Sequence, residues 1–302
     1  MPNKIKLTFL GTSGAVPTAK RNHSSTLLTY AGENILVDCG EGTQRQFRKA
    51  RLNPCKVTKI LITHWHGDHV LGIPGLLQTL ALNEYNKELK IYGPKGTKTF
   101  IENMFKTFVF VKKFPIKIFE VDKPRIFFEN SDFYLSSQKM MHGVPCNSYC
   151  FVKKGEIKID KIKLRKSGLP EGPILQKIKQ GKNVVYENKK FKAKDLTFKE
   201  NDIKVCFVLD TRMNDLIVPF VKNSDVLVCE STFEGNKQDL AKEYFHLTVS
   251  QAAEIAKKAK VKKLVLTHIS QRYENKLEDV LKEATKIFKN AFLVNDGYIV
   301  EV

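Results

Sequence analysis

The chain has 302 residues, 42% of them hydrophobic, which suffices for one large domain or two ordinary ones. No stretch approaches the roughly 18–20 apolar residues that span a bilayer, so a membrane-spanning helix is excluded. The formal net charge of +19 points to polyanionic partners, nucleic acid first; the excess of lysine over arginine leaves compositional bias as the bland alternative, so where the charge lies matters more. In chain order, Ile5–Leu10, Ser25–Tyr30, Asn34–Val37 and Lys59–Thr63 read as short apolar or β-branched strands bounded by Gly, Asn or Pro. Gly42–Leu52, Gly75–Leu82 and Thr97–Phe105 read as helices between and after them. Strands follow at Ile116–Val121, Arg125–Phe128, Phe133–Ser137 and Ser148–Val152. The C-terminal third alternates strands at Ile203–Leu209, Val226–Cys229, Lys263–Thr267 and Ala291–Val294 with helices near Ser250–Lys260 and Leu277–Phe288. Thr248 and Gln251 form a capping-box pair for the first of those helices.

The run Ile5–Leu10 is short, is broken by Lys6 and Thr8, and leads into a Gly-rich turn, which is wrong for an export signal. A soluble cytoplasmic protein is expected, with Cys39, Cys55, Cys146, Cys150, Cys206 and Cys229 reduced. Cys146 and Cys150 lie four apart, but no second Cys/His pair completes a structural zinc site.

One segment interrupts the alternation. Residues 153–200 hold 15 Lys/Arg and 6 Asp/Glu, a net +9 and about half of the chain's excess. A disordered linker is the bland reading. Ile174, Leu175 and Ile178 at helical spacing, with Val184, Val185, Tyr186, Phe191 and Phe198, favour a semi-ordered basic projection instead. Cations interleaved with aromatics suit a nucleic-acid backbone.

The densest chemistry is His64-Trp65-His66-Gly67-Asp68-His69. His64 and His66 leave a strand end two residues apart and can share one metal. Asp68 and His69 sit on the following turn and face a second position, and Gly67 lets the backbone bend between the pairs. Four candidate ligands in six residues are hard to explain by packing. Histidine is otherwise scarce: His23, His64, His66, His69, His142, His246 and His268 are all there are.

This H-x-H-x-D-H run resembles the signature of the metallo-β-lactamase superfamily. The resemblance implies an α/β fold, an αβ/βα four-layer sandwich with its metals at one edge, here with a protruding basic arm at 153–200 inserted in a single catalytic domain spanning 1–302. It also implies three further ligands at strand ends. His142 would complete the first site, Asp210 would bridge both metals, and His268 would complete the second.

Fold does not settle chemistry, since the superfamily acts on lactams, thioesters, sulfates and phosphodiesters. The segments Phe9-Leu10-Gly11-Thr12-Ser13-Gly14-Ala15-Val16-Pro17-Thr18 and Asp38-Cys39-Gly40-Glu41-Gly42-Thr43-Gln44-Arg45-Gln46 are similar to the first blocks of the ribonuclease Z family, the tRNA 3′-processing endonucleases of short form. Asp210-Thr211-Arg212, Glu230-Ser231-Thr232-Phe233, His246-Leu247-Thr248 and Thr267-His268-Ile269-Ser270-Gln271-Arg272-Tyr273 resemble its later ones. The likeness spans nearly the whole chain. It implies that precursor tRNA is the substrate, that the 3′ trailer is removed to leave a 3′-hydroxyl, and that Lys20, Arg21 and Asn22 lie near the cleaved end. It implies that Gly172, Pro173, Lys177 and Lys179 belong to a tRNA-gripping arm, and that a homodimer forms in which one subunit's arm serves the other's site. Lys20 stands one place later than the family's lysine, and Leu209 stands where its glycine is usual.

Two zinc ions about 3.5–4 Å apart would activate water and neutralise a phosphodiester oxygen, although manganese or iron also suits a mixed His/carboxylate site. Asp68 is a candidate to orient the nucleophile or take its proton. His246, held by Glu230, is a candidate to protonate the leaving 3′-oxygen. The bland readings are a surface histidine before a helix and a strand-end carboxylate. For Gly11 and Gly14 a tight turn suffices, and Trp65 reads as packing beside the site. A general metallo-phosphodiesterase for small or unstructured substrates, or a non-catalytic RNA-binding relative, are the competing functions.

Overall fold

The computed structural model describes residues 4–109 and 113–302. Its strands are β1 (Lys6–Gly11), β2 (Ser25–Tyr30), β3 (Glu33–Val37), β4 (Lys59–Leu61), β5 (Leu89–Gly93), β6 (Ile116–Glu120), β7 (Arg125–Glu129), β8 (Phe133–Met140) and β9 (Cys146–Lys153). Then come β10 (Ile157–Ile159), β11 (Val184–Tyr186), β12 (Lys189–Phe191), β13 (Thr197–Lys199), β14 (Ile203–Val208), β15 (Val226–Glu230), β16 (Lys263–Thr267), β17 (Ala291–Leu293) and β18 (Ile299–Glu301). Two seven-stranded sheets result, ordered β18-β1-β2-β3-β4-β5-β6 and β17-β16-β15-β14-β9-β8-β7.

Each sheet has a parallel half, β3 to β6 in the first and β14 to β17 in the second. Parallel neighbours need crossovers, and helices supply them. Thr43–Lys49, Ile73–Leu82 and Thr97–Thr107 serve the first sheet; Ile217–Val221, Val249–Lys258 and Leu277–Ile287 serve the second. Strands covered on both faces should be apolar throughout rather than alternating. β15, Val-Leu-Val-Cys-Glu, is buried at every position, glutamate included.

On one face of the first sheet, Leu36, Ile60 and Ile91 pack with Phe47, Leu76, Leu80 and Ile101 of the helices. Its other face meets the second sheet: the rings of Tyr30 and Phe151 lie edge-on at 5.6 Å, those of Tyr92 and Phe127 are tilted at 5.0 Å, and the Tyr149 hydroxyl donates to the Ile62 carbonyl at 2.7 Å. The helix Val249–Lys258 buries Val249, Ala252, Ala253, Ile255 and Ala256, and opens with the expected Thr248/Gln251 capping box. The order of layers is helix, sheet, sheet, helix.

Residues Asn130–Tyr134 and Val152–Ile203 form a second compact unit. It contains the antiparallel pairs β10–β13 and β11–β12 and helices at Lys161–Ser167, Ile174–Lys179 and Ala193–Leu196. Asp160 caps the first helix by accepting from the backbone N–H groups of Ile162 and Lys163, and Gly168 ends it at φ 75°. Leu164, Leu169, Ile178, Val184, Ala193 and Leu196 make its own buried cluster. The apolar spacing at Ile174–Ile178 becomes the short helix Ile174–Lys179, with Ile178 buried.

The cysteines depart from expectation at one pair. Cys150 on β9 and Cys206 on the adjacent β14 are joined in a disulfide, their Cα atoms 4.1 Å apart. Neighbouring strands put the two side chains at one level on one side of the sheet, a proximity that spacing along the sequence does not reveal. Cys39, Cys55, Cys146 and Cys229 are free.

Candidate metal centre

Parallel strands in register end together, so residues just past their C-terminal ends converge. Val37 pairs with Leu61, Val208 with Cys229, and Glu230 with Thr267. Asp38, Asp210 and His268 each follow such a strand closely, and all three adopt left-handed backbone, at φ 57°, 48° and 57°. Non-glycine residues seldom do so, and such strain gathers at functional sites.

The seven candidate ligands form two adjoining sets. Ring nitrogens of His64, His66 and His142 make the first; Asp68, His69, Asp210 and His268 make the second. His64 Nε2 lies 3.1 Å from His66 Nδ1, which lies 3.0 Å from His142 Nε2. His69 Nε2 and His268 Nε2 are 3.2 Å apart. Asp210 stands between the sets, with Oδ2 3.6 Å from His64 Nε2 and 3.4 Å from His69 Nε2, and Oδ1 3.2 Å from His268 Nε2. Asp68 Oδ2 lies 3.3 Å from His69 Nε2 and 3.4 Å from His268 Nε2.

Buried partners decide which ring nitrogens point inward. Asp38, fully buried, accepts from the Thr63 backbone N–H at Oδ1 (2.7 Å) and from the Thr63 hydroxyl at Oδ2 (2.8 Å). Oδ2 also faces His69 Nδ1 at 2.7 Å, so that nitrogen carries a proton and Nε2 is left with a lone pair. The Thr63 hydroxyl, having given its proton to Asp38, accepts from His64 Nδ1 at 3.1 Å. His64 therefore also turns a bare Nε2 into the site. Beside the second set, His246 Nδ1 lies 3.0 Å from Glu230 Oε2, and Glu230 Oε1 accepts from the Thr211 backbone N–H at 2.6 Å.

This donor set fits a divalent metal. Several ring nitrogens without protons face one another and face carboxylate oxygens, an arrangement that only a cation or additional protons make favourable. Asp210 Oδ1 is buried and accepts no hydrogen bond from the described residues. Zinc holding nitrogens tetrahedrally at ~2.0–2.1 Å sets them about 3.3–3.4 Å apart, near the spacing of these rings. Burial drives His64 and His142 toward the neutral form that ligates. For His69 burial acts the same way, but the carboxylates of Asp210, Asp38 and Asp68 outweigh it and raise its affinity for a proton. Burial likewise opposes charge on His246, and Glu230 and Asp210 prevail, raising its pKa to about 9.

Other expectations fare differently. Gly67 has ordinary φ and begins the short helix Gly67–Val70, so the bend between ligand pairs needs no left-handed glycine. Gly14 is more than a turn residue: a Cβ there would lie 2.9 Å from the His268 ring. Trp65 packs on Phe100 at 4.9 Å and donates to the Thr97 hydroxyl. Lys20 is exposed and Asn22 half-buried. Arg21 is not placed for surface contact; it is 2% exposed, because its guanidinium is committed to the Thr12 hydroxyl, the Val294 carbonyl and the Asn295 side chain. Gly172, Pro173, Lys177 and Lys179 are exposed and belong to the second unit. His246 lines two cavities, one of about 750 Å³ with Arg212, Asn214 and Lys242, and one of about 240 Å³ with Phe233, Tyr244 and Arg272. Asp38, Thr63 and Thr232 were not anticipated as site residues. A polar residue one or two places past an apolar strand is the available signal.

Comparison with known proteins places these features. The family profile of the anti-Pycsar protein Apyc1 matches residues 5–108, the part carrying the histidine-rich run. A ribonuclease Z of Methanothermobacter thermautotrophicus is 38% identical over 299 residues, covering 99% of this chain and 97% of that protein. A ribonuclease Z of Methanocaldococcus jannaschii is 40% identical over 277 residues, covering 89% and 87%. Among solved structures, the short form of human tRNase Z aligns with TM-score 0.71 and 28% identity over 98% of each chain. A metallo-β-lactamase fold protein from Bacillus subtilis aligns with TM-score 0.71 and 20% identity over 99% of this chain and all of the other. The fold is that of the metallo-β-lactamases, and on near-complete identity-bearing coverage the chain belongs to the ribonuclease Z family.

Proposed function

We propose that this protein is a metal-dependent endoribonuclease that removes the 3′ trailer from precursor tRNA, leaving a 3′-hydroxyl. The observation that carries this reading is the convergence of seven His/Asp side chains in two adjoining donor sets, in a chain similar over its whole length to ribonucleases Z. His64, His66 and His142 would hold one zinc ion, Asp68, His69 and His268 a second, with Asp210 shared between them. When bound, such a pair activates water and neutralises a phosphodiester oxygen.

The chain's own groups do the rest. Asp38 and Thr63 hold His69 and His64 in the tautomers that offer Nε2. Asp68, only partly buried, is placed to orient the attacking water or accept its proton. His246 donates Nδ1–H to Glu230, and the carboxylates of Glu230 and Asp210 favour its doubly protonated ring, in which Nε2–H is the proton offered to the departing 3′-oxygen. Lys20 and Asn22 are exposed enough to meet substrate, with Arg21 bracing the loop beneath them. The unit containing Gly172, Pro173, Lys177 and Lys179 has the charge to serve as a tRNA-binding arm. A cytoplasmic homodimer completes the reading; no helix among the described residues is long and apolar enough to cross a membrane.

The test is cleavage of 3′-extended precursor tRNA with mapping of the cut. Alanine at His64 or Asp210 should abolish cutting near the discriminator nucleotide. Equal turnover of folded precursor and a linear oligonucleotide would favour a general phosphodiesterase and defeat the tRNA reading.

A further inference from the structure

Glu230 repeats, on the second sheet, the bonding pattern that Asp38 makes on the first. Each carboxylate takes a backbone N–H on one oxygen, from Thr211 at 2.6 Å and from Thr63 at 2.7 Å. On the other oxygen each takes a histidine Nδ1 and a threonine hydroxyl: His246 and Thr232 for Glu230, His69 and Thr63 for Asp38. Each hydroxyl then meets a second histidine. Thr63 Oγ1 lies 3.1 Å from His64 Nδ1, and Thr232 Oγ1 lies 2.9 Å from His268 Nδ1. The group comes from three places, with Glu230 and Thr232 at the end of β15, His268 just past β16 and His246 shortly before the helix at Val249, and Thr232 is 6% exposed.

From this we infer that Thr232 is a positioning residue, whose single hydroxyl proton sets the tautomer of His268 and the anchorage of His246 together. A hydroxyl has one proton to give. At 2.6 Å from Glu230 Oε2 that proton goes to the carboxylate, which in its ionised form can only accept. The His268 carbonyl, 3.2 Å away, is the longer and uncharged alternative. With its proton committed, Oγ1 can only accept from His268 Nδ1. His268 Nε2 is thereby stripped of its proton and turned toward Asp210, Asp68 and His69. The same bond occupies one lone pair of Glu230 Oε2, leaving the other to His246 Nδ1. On the Asp38 side this device aims two imidazoles at metal. On the Glu230 side it aims one at metal and one at the cavities, so a metal ligand and the proton carrier share one anchor.

This inference rests on reading His268 as a ligand and His246 as a proton carrier, and the experiment separates the two claims. In the metal-free, full-length protein, ring ¹⁵N shifts of His268, assigned with His268→Asn, should show the proton on Nδ1. Thr232→Val keeps the shape and removes the hydroxyl; Thr232→Ser keeps the hydroxyl. In competition with a chromophoric chelator, Thr232→Val should weaken Zn²⁺ binding at the His268 set about 10–100-fold, mix the His268 tautomers, and lower kcat at saturating Zn²⁺ with KM for precursor tRNA little changed. Thr232→Ser should restore all three. A parent protein with His268 protonated on Nε2 overturns the inference, even if Thr232→Val fails to fold. So does a folded Thr232→Val that binds Zn²⁺ like the parent, or a Thr232→Ser as defective as valine. A parent that binds no Zn²⁺ at all would instead defeat the metal-centre reading, while the ring shifts would still judge the tautomer.

Discussion

Asp38→Asn alters one atom of a fully buried side chain that touches no candidate metal, and its consequence follows from proton counting. The carboxylate accepts three donors: the Thr63 N–H at Oδ1, and the Thr63 hydroxyl and His69 Nδ1–H at Oδ2. An amide offers one acceptor oxygen and one donor nitrogen. If the amide nitrogen takes the place of Oδ1, it confronts the Thr63 backbone N–H, donor against donor, which strands a buried amide at about 1–3 kcal/mol. If it takes the place of Oδ2, His69 can meet it only by accepting at Nδ1. The His69 proton then moves to Nε2, the nitrogen aimed at the Asp68/Asp210/His268 set, and the Thr63 hydroxyl must turn as well.

The first placement leaves His69 an acceptor but is disfavoured by the stranded Thr63 amide; in the second, His69 loses the lone pair at Nε2. Loss of such a supporting partner typically weakens metal binding about 10–100-fold, or ~1.4–2.8 kcal/mol at ~1.4 kcal/mol per decade. Asp38→Ala is the poorer probe, because it abandons three buried donors at once and the sum approaches the whole stability of a domain, about 5–15 kcal/mol. The assay is Zn²⁺ competition against a chromophoric chelator, with circular dichroism to confirm folding and hydrolysis of a small chromogenic phosphodiester to report the site. Zn²⁺ affinity equal to the parent's, in a folded Asp38→Asn protein, would refute the tautomer assignment of His69.

Other expectations follow from the same geometry. His246→Ala should leave Zn²⁺ binding and KM nearly intact while lowering kcat about 10²–10⁴-fold; a matching fall in metal affinity would make His246 a ligand instead. Gly72→Ala sets a methyl 2.0 Å from the Gly40 carbonyl oxygen and should unfold or strongly destabilise the protein in thermal melts, whereas Gly67→Ala, in the ligand run itself, meets only the flexible Leu71 side chain at 3.1 Å and should melt within a few degrees of the parent. Exhaustive chelation should abolish hydrolysis and lower the melting temperature, since a ligand bound only by the native state stabilises it, and added Zn²⁺ should restore both. The pair Lys177→Glu and Lys179→Glu, exposed on the basic unit, should raise KM for precursor tRNA and reduce the salt slope of binding by about 0.9 per lost phosphate contact, with small-substrate turnover unchanged.

What the sequence makes legible is whatever is written in adjacent residues or in a repeating period. His64, His66, Asp68 and His69 announce themselves because one strand end and one short helix carry them all. The apolar runs that become β3, β14, β15 and β16 are legible because two-sided burial demands continuous hydrophobicity. β5 escapes because Lys90 breaks its apolar run and Gly93 ends it, and β18 because three residues show no period; only pairing with finished neighbours makes them strands. Asp38, Thr63 and Thr232 escape for a different reason. Each is an ordinary polar residue past a strand, and its meaning depends on a partner that register, not spacing, brings near: Asp38 meets Thr63 because Val37 pairs with Leu61, and Thr232 meets His268 because Glu230 pairs with Thr267. The disulfide partner of Cys150 is hidden in the same way, 56 residues off on the next strand. Arg21 shows the converse, in which a motif position implies nearness to the cleaved end while the fold commits the guanidinium to Thr12, Val294 and Asn295. Ligands that contact metal can thus be found by residue type, whereas the groups that fix a ligand's tautomer become visible only once parallel strands are aligned, because their chemistry lies in which atom faces which.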